Sequence, residues 1–260
     1  MMGHSLNLIP MAGLGRRFKE AGIEVAKPLI EIDTGVPMIV KAASCLPRAT
    51  RTLFVCREEH VKQSGIDKTL AKNFPGCMVK SITHNTQGQA STCLLARKEI
   101  SQSGWLNIGA CDSYMTYSMQ KFLAVKEHDD VDALIWTSRN NPSMLQNPLM
   151  YGWVKTEGLR AAAVSVKNTI SEHPENDHAI IGAFSFRRGV DFLDCADRLI
   201  AEDRRIDGEF YIDNLMNVAV ENGLRVEVFE VDKYICWGTP LDLKIYKFWK
   251  SFFSSVLDKR

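Results

Sequence analysis

At 260 residues, with 45% hydrophobic and 24% charged residues, the chain has the composition of a globular domain large enough to bury its own core without disulfides or a structural metal. Lys and Arg number 32 and Asp and Glu 31, a formal net charge of +1, which excludes a general nucleic-acid binder and makes any anion site a local one. No apolar run approaches the roughly 20 residues that span a bilayer, so no membrane partner is expected; seven cysteines without a CxxC pair or zinc spacing exclude a zinc module and point to a reducing cytoplasm.

Residues 6–11, LNLIPM, read as a short buried strand that runs into a loop containing two glycines. PMIVKAASCL (37–46) predicts a helix with proline in its first turn, RTLFVC (51–56) a second strand, and 58–74 helical segments interrupted at Gly65. CMVKSI (77–82) predicts a third strand, 89–100 a helix, and GWLNIGACD (104–112) a nearly all-apolar strand that ends on Asp112. Strands alternating with helices at this spacing predict a mostly parallel sheet with helices on both faces. From 131 the pattern changes. Strand-like runs at 131–138, 151–157, 159–167 and 179–189 follow one another with short connections, and a hairpin is expected around 156–159. Residues 139–148 predict a mobile polar loop. Helices are expected at 189–202 and 211–222, a strand at 225–231, and a final helix from Pro240. That helix carries apolar residues at 245, 248, 249, 252, 253 and 256, for which core packing is the default reading and a subunit interface the alternative. No repeat or linker divides the chain, so one domain is expected.

The loop Ala12-Gly13-Leu14-Gly15 lets backbone N–H groups approach a phosphate closely, and Arg16, Arg17 and Lys27 supply charge that backbone dipoles alone cannot. It is neither a P-loop, lacking GxxxxGK[ST], nor a dinucleotide fingerprint, which would need glycine where Phe18 stands. The bland reading is a tight turn with solvated arginines; the Lys-Pro at 27–28 weighs against it. His84, His173 and His178 lack ligand spacing, carry no expected chemistry, and read as surface or loop residues.

The segment PMAGLGRRF…AKPLIEIDTGVPMI resembles the opening signature of nucleotidyltransferases that activate sugar 1-phosphates or related phosphate monoesters, and the resemblance continues in order over roughly residues 6–243. TQGQASTCLLA resembles the segment that reads the base, LNIGACDSYM the strand ending in a metal-binding aspartate, VSVKNTIS…IIGAFSFRRG the lysine-bearing and glycine-aromatic strands of the acceptor site, GEFYIDNLMNVAVENG the next helix, and CWGTPLDL the closing turn. The resemblance implies a single-domain three-layer α/β/α fold of the glycosyltransferase-A type, Rossmann-like, with a mixed, mostly parallel sheet. Residues 6–115 would form the nucleotide half, 130–240 the acceptor half and 241–260 a terminal helix. It implies transfer of a nucleoside monophosphate from an NTP to a phosphorylated small molecule, for capsule or surface-polysaccharide precursors, with CTP, UTP and dTTP all open as the nucleotide. The nucleophile is already an anionic oxygen, so no general base is required, and positioning and charge neutralisation carry the reaction.

On the resemblance, Arg17, Lys27, Asp112 and Lys167 are the catalytic candidates, with Asp112 binding Mg²⁺; helix capping is its alternative role. Met11, Ala12, Gly13, Leu14, Gly15, Arg16, Gln87 and Gly88 would hold the NTP. Lys167, Gly182, Glu209, Asp213 and Trp237 would hold the acceptor, although Glu209 and Asp213 read equally as a solvated acidic helix start and Trp237 equally as core. The chain departs from the family pattern in three places. Arg16 stands where a small hydroxyl residue is usual; Cys236-Trp237 stands where a second metal aspartate often lies, leaving Asp232, Asp213 or water to complete the shell; and Val166-Lys167-Asn168 replaces the commoner Glu-Lys-Pro. The rival enzyme is a glycosyltransferase of the same fold, which usually needs Asp-x-Asp where this chain has Cys111-Asp112-Ser113. A homo-oligomer is a further expectation.

Overall fold

Successive apolar residues on the early strands face opposite ways, so each strand must be covered on both sides. In the computed structural model, which describes residues 4–128 and 130–257, Leu53 and Val55 enter one core and Phe54 and Cys56 another. Thirteen strands occur among the described residues: β1 (Leu6–Pro10), β2 (Glu31–Asp33), β3 (Val36–Pro37), β4 (Arg51–Arg57), β5 (Met78–Ile82), β6 (Leu106–Ile108), β7 (Ser113–Thr116), β8 (Ala133–Ser138), β9 (Gly152–Glu157), β10 (Arg160–Val166), β11 (His178–Phe186), β12 (Val226–Glu230) and β13 (Lys233–Cys236). Nine form one sheet in the order β5-β4-β1-β6-β11-β8-β12-β10-β9. Helices Gln89–Leu94, Arg97–Ser101, Gly189–Ala201 and Ile212–Glu221 contribute to one core, and Met38–Ser44, Ile66–Asn73 and Met119–Glu127 to the other.

The fold is mixed α/β as expected, but the sheet is not mostly parallel. The pairs β1–β4, β4–β5 and β1–β6 are parallel because helices connect these strands, and β8–β12 is parallel across a long connection that includes β9, β10, β11 and the helices Gly189–Ala201 and Ile212–Glu221. The pairs β6–β11, β8–β11, β10–β12, β9–β10 and β9–β11 are antiparallel. Only Gly158 and Leu159 separate β9 from β10, too few residues for a crossover, so the expected hairpin forms there. The upper end of β11 pairs with β9 through His178 and Ala179, which closes β11, β8, β12, β10 and β9 into a ring. Across the middle of the sheet a buried polar chain pins the register. Asn7 donates to the Pro47 carbonyl and accepts from Asn107, Asn107 accepts from Ser185, and Ser185 accepts from the Trp136 indole, all within 2.9 Å.

Three expectations are corrected. The apolar run 104–112 is strand only over Leu106–Ile108; the chain then turns out of the sheet, and β7 pairs with β13, Ser113 opposite Cys236. Residues 139–148 are not simply loop, because Asn141 Oδ1 accepts from the Ser143 N–H and starts the helix Pro142–Gln146, which buries Met144. The last helix, Pro240–Leu257, buries only Leu243, and its aromatic stripe lies exposed. No helix among the described residues is long and apolar enough to cross a membrane.

Candidate functional site

The C-terminal end of β1, the stretch after β6 and the loop after β5 meet around a cleft of about 620 Å³. Ala12, Gly13, Leu14, Gly15, Arg16 and Arg17 form one wall, continued by Lys27, Asp112 and Gly238. Asn85, Thr86, Gly88, Gln89 and Thr92 form a second wall, and Glu209 and Tyr211 reach in from the other half of the chain. Residues distant in sequence thus share one concave surface.

Gly15 shapes the loop. Its φ is 63°, and an added Cβ would sit 3.3 Å from Lys27 Cβ, so a side chain here meets both backbone strain and a crowded neighbour. Among the described residues the N–H groups of Gly13, Leu14 and Gly15 donate to no other group, and the side chains of Arg16 and Arg17 form no hydrogen bond or ion pair. Unsatisfied donors and unpaired guanidiniums at a cleft wall are what an oxyanion requires. Phe18, Ile30, Ile32, Met38, Trp237 and Leu243 pack into a small core beneath the loop, so the charged wall rests on a fixed floor.

Lys27 Nζ donates to Asp112 Oδ2 at 2.6 Å and to the Gly238 carbonyl at 3.3 Å. Burial is the largest single influence and opposes its charge, but the attraction and hydrogen bond of the Asp112 carboxylate, added to contributions from Cys111 and Cys236, leave the pKa raised. An ammonium has three donors, so one remains for a phosphate oxygen. Asp112 is not a helix cap: it precedes β7, and the following helix is capped by Ser118, whose Oγ accepts from the Lys121 N–H. The Asp112 carbonyl accepts from the Trp237 N–H at 2.7 Å, which ties the aspartate to the closing turn. Thr239 and Asp242 build that turn by capping each other, Thr239 N–H and hydroxyl donating to Asp242 and Asp242 N–H donating back, with Pro240 at the first helical position.

The donor set around Asp112 bears on Mg²⁺. Cys236, beside it, has its thiol pushed up to about 11, by burial first and then by the Asp112 charge, and is therefore a neutral sulfur that a hard cation disfavours. Cys111 is pushed up to about 12, again chiefly by burial. Asp232 is exposed at the far end of β13, its N–H donating to the Thr116 carbonyl, and neither it nor Asp213 lines the cleft. No group of three or more His, Cys, Asp or Glu residues suited to a metal occurs among the described residues. One carboxylate therefore fits a Mg²⁺ that keeps waters and arrives on phosphates rather than a resident ion in a protein cage.

The second wall is zipped by backbone to the segment that carries Glu209 and Tyr211. The Phe210 N–H donates to the Gln87 carbonyl at 2.8 Å and the Ala90 N–H to the Phe210 carbonyl at 3.0 Å. Gly88 has φ 117°, and a Cβ there would lie 2.5 Å from Phe210 N, so only glycine permits this approach. Gln87 points away from the cleft and accepts from Arg205 at 3.1 Å, while Gln89, Asn85, Thr86 and Thr92 face it.

Several predicted site residues lie outside the cleft lining. Met11 is buried and extends the β1–β4 ladder through its N–H to Val55. Lys167 follows β10 directly with φ 59°, a strained value for a non-glycine residue; its Nζ donates to Asp207 at 2.6 Å and stands 4.8 Å from the centre of the Tyr211 ring. Tyr211 lines the cleft, so the lysine sits one ring behind it. Gly182, φ 74°, marks the register shift of β11 against β8 and packs on Ala110. Asp213 lies in the first turn of Ile212–Glu221, and burial raises its pKa to about 6 against a weaker opposing pull from Lys167. Trp237 is buried against Tyr246, ring centres 5.4 Å apart, and its indole N–H has no partner; it belongs to the core and not to a substrate wall. His178 departs from the surface reading too: it lies part-buried in β11, with Thr137 Oγ1 2.8 Å from Nδ1.

Thr86, Gln89 and Thr92 belong to the run TQGQASTCLLA that the sequence assigns to the base without singling them out, whereas Asn85, Tyr211 and Gly238 are not among its candidate residues. The polar run TQGQAST was the available signal, but its facing depends on the turn at Gly88.

No protein-family model and no curated protein matches the sequence. Solved structures do match its fold. A nucleoside-diphosphate-sugar pyrophosphorylase from Vibrio cholerae RC9 superposes with a TM-score of 0.74 at 21% identity, over 93% of this chain and 99% of that one. The inositol-1-phosphate CTP transferase from T. maritima gives 0.72 at 16% identity over 95% of each chain. A protein from Bacillus anthracis assigned as a glucose-1-phosphate thymidylyltransferase, solved with sucrose, gives 0.71 at 15% identity over 94% of each. At these identities the likeness establishes a shared fold over nearly the whole chain.

Proposed function

We propose that this protein is a nucleotidyltransferase that moves a nucleoside monophosphate from an NTP to a sugar 1-phosphate or other small phosphate monoester, releasing pyrophosphate. The observation that carries the reading is the cleft wall formed by Gly13 to Arg17 with Lys27: free N–H donors and two unpaired guanidiniums facing a space of about 620 Å³. The fold shared with a sugar pyrophosphorylase and a CTP transferase supports it.

In this mechanism an acceptor phosphate oxygen forms a bond to the α-phosphorus. The bond from that phosphorus to the bridging oxygen of the β-phosphate breaks, and its electron pair leaves with pyrophosphate. No proton need move. Arg16, Arg17 and the loop N–H groups hold the β- and γ-phosphates, and the remaining donor of Lys27 meets the charge that develops on the leaving group. Asp112 would hold Mg²⁺ brought in with the nucleotide, which supplies further charge neutralisation between the two anions when bound. Asn85, Thr86 and Gln89 face the nucleotide base; Glu209 and Tyr211 bound the acceptor end, with Lys167 behind the tyrosine supplying positive potential for the acceptor phosphate. The chain is read as one domain, working in the cytoplasm on precursors of capsule or other surface polysaccharide.

The test is pyrophosphate release when each common NTP is mixed with a panel of phosphorylated sugars and polyols, with Mg²⁺ or with chelator. Release that requires one NTP, one phosphorylated acceptor and Mg²⁺ is expected. Release of a nucleoside diphosphate from a nucleotide-sugar, with none of pyrophosphate from any NTP, would overturn the reading in favour of a glycosyltransferase.

A further inference from the structure

The last helix is amphipathic the wrong way round for a lone domain. Its inward side is polar over most of its length: Lys250 pairs with Asp33, the Tyr246 hydroxyl donates to the same carboxylate at 3.4 Å, and Lys247 lines the groove against Glu31 and Asp33 of the β2–β3 hairpin. Only Leu243 on this side is buried. The outward side carries Phe248, Trp249, Phe252, Phe253, Val256 and Leu257, each between 42% and 67% exposed. Folding therefore leaves the more apolar face of the helix in water.

We infer that this face pairs with the same face of a second copy of the chain. Spacing supports a helix–helix seam. Leu241, Ile245, Phe248 and Phe252 follow one another at intervals of four, three and four residues, the pattern that keeps one stripe against a partner helix. Area supports it too. Aromatic side chains bury about 150–250 Å² each, so four at roughly half exposure, with Leu241, Val256 and Leu257, offer about 600 Å² per copy. Two such faces bury about 1,200 Å² together, which reaches the range of specific interfaces, whereas a patch that size is at the upper limit for a monomer. The aromatics are already locked against one another. Phe248 and Trp249 lie 5.3 Å apart between ring centres, Trp249 and Phe252 5.8 Å, and Phe252 and Phe253 5.5 Å, so little side-chain freedom is lost on docking. A lipid surface fits less well. An interfacial helix is rich in cations on its polar face, where they reach headgroups; here Lys247 and Lys250 turn inward to Glu31 and Asp33, which leaves Lys244 as the one lysine of the helix outside that groove.

The inference does not depend on the proposed activity. Sedimentation equilibrium of the full chain from about 1 to 100 µM is expected to give twice the 29.3 kDa chain mass at the upper concentrations. The double substitution Phe248→Glu and Phe252→Glu, on exposed positions, is expected to give a monomer with an unchanged far-ultraviolet spectrum and melting temperature. Trp249→Lys provides a second variant, expected to weaken association at least tenfold. A wild-type monomer throughout that range, or dimers that persist in folded variants, would overturn the proposal. So would flotation of wild-type monomer with phosphatidylcholine–phosphatidylglycerol vesicles, which would assign the face to lipid instead.

Discussion

The two walls of the cleft are built by different means. The wall that runs from Gly13 to Lys27 is a single stretch of chain between β1 and β2, projecting from parallel strands whose ends all point to the cleft. Its cations, Arg16, Arg17 and Lys27, lie on one short stretch of sequence, and its shape depends on one local conformation, the positive φ at Gly15. The wall contributed by the second half is assembled from a ring that is antiparallel except at β8–β12: Lys167 follows one strand, Gly182 interrupts another, and Glu209, Tyr211 and Asp213 bracket the start of a helix. Which of these side chains reaches the cleft depends on register and on bulges, and only Glu209 and Tyr211 line it. A loop at a parallel strand end presents its own glycines and arginines through local conformation, whereas a ring of strands must close correctly first.

The largest effect is expected at the first wall. Lys27→Ala removes one charge-assisted contact to phosphate, worth about 1.5–3 kcal/mol, and should lower kcat/KM for the NTP roughly ten- to hundred-fold. Its melting temperature should fall as well, because Asp112 loses its ion-pair partner, so turnover is compared at a temperature where the variant is folded. Unaltered turnover in a folded variant would show that the contiguous wall is not where the triphosphate sits.

The independence of the walls is tested by a pair of variants. Lys167→Ala should raise the acceptor KM by up to about tenfold and leave NTP affinity within about two-fold, since a single point charge behind Tyr211 reads no base. Gly88→Ala should instead disturb both substrates and cost on the order of 1–3 kcal/mol of stability, because its Cβ would strike the Phe210 backbone and part the 85–92 segment from Glu209 and Tyr211. Calorimetric titration of each substrate, with urea unfolding alongside, separates these outcomes. An effect of Gly88→Ala confined to the NTP would mean that these two segments are coupled less tightly than their backbone hydrogen bonds imply.

The smallest effect concerns Asp213. Its carboxyl titrates near 6 in the folded protein against an ordinary value of 3.8. Between those values the unfolded chain has released the proton and the folded chain has not, so ionisation removes stability as pH rises from about 4 to about 6, and the loss is complete above that. Asp213→Asn should therefore match the wild type near pH 3.5 and exceed it by on the order of 1–2 kcal/mol at pH 7.5. Equal differences at both pH values would mean that packing, and not charge, governs this position.

Much of the first half was legible along the chain because its signals are local. A glycine pair flanked by arginines, a Lys-Pro, and apolar runs broken by helices each act over a few residues, and the parallel order of β5, β4, β1 and β6 follows from the helices between them. Asp112 was recognisable as the end of an apolar run, but its partner was not. Lys27 lies 85 residues away and meets it only because the chain leaves the sheet after Ile108 and β7 pairs with β13. The same holds for Trp237, whose neighbourhood of Phe18, Met38 and Tyr246 comes from three separated segments.

The last helix divides the two kinds of information most clearly. Its periodicity specified an apolar stripe and its Thr-Pro-Leu-Asp start specified where the helix begins, since both are properties of consecutive residues. Which way the stripe faces was decided elsewhere, by Asp33 on a hairpin more than 200 residues earlier, which holds Lys250 and Tyr246 against the body of the protein and so turns the aromatics outward. Hydrophobic burial has no direction of its own; the polar contacts of a distant segment supplied one.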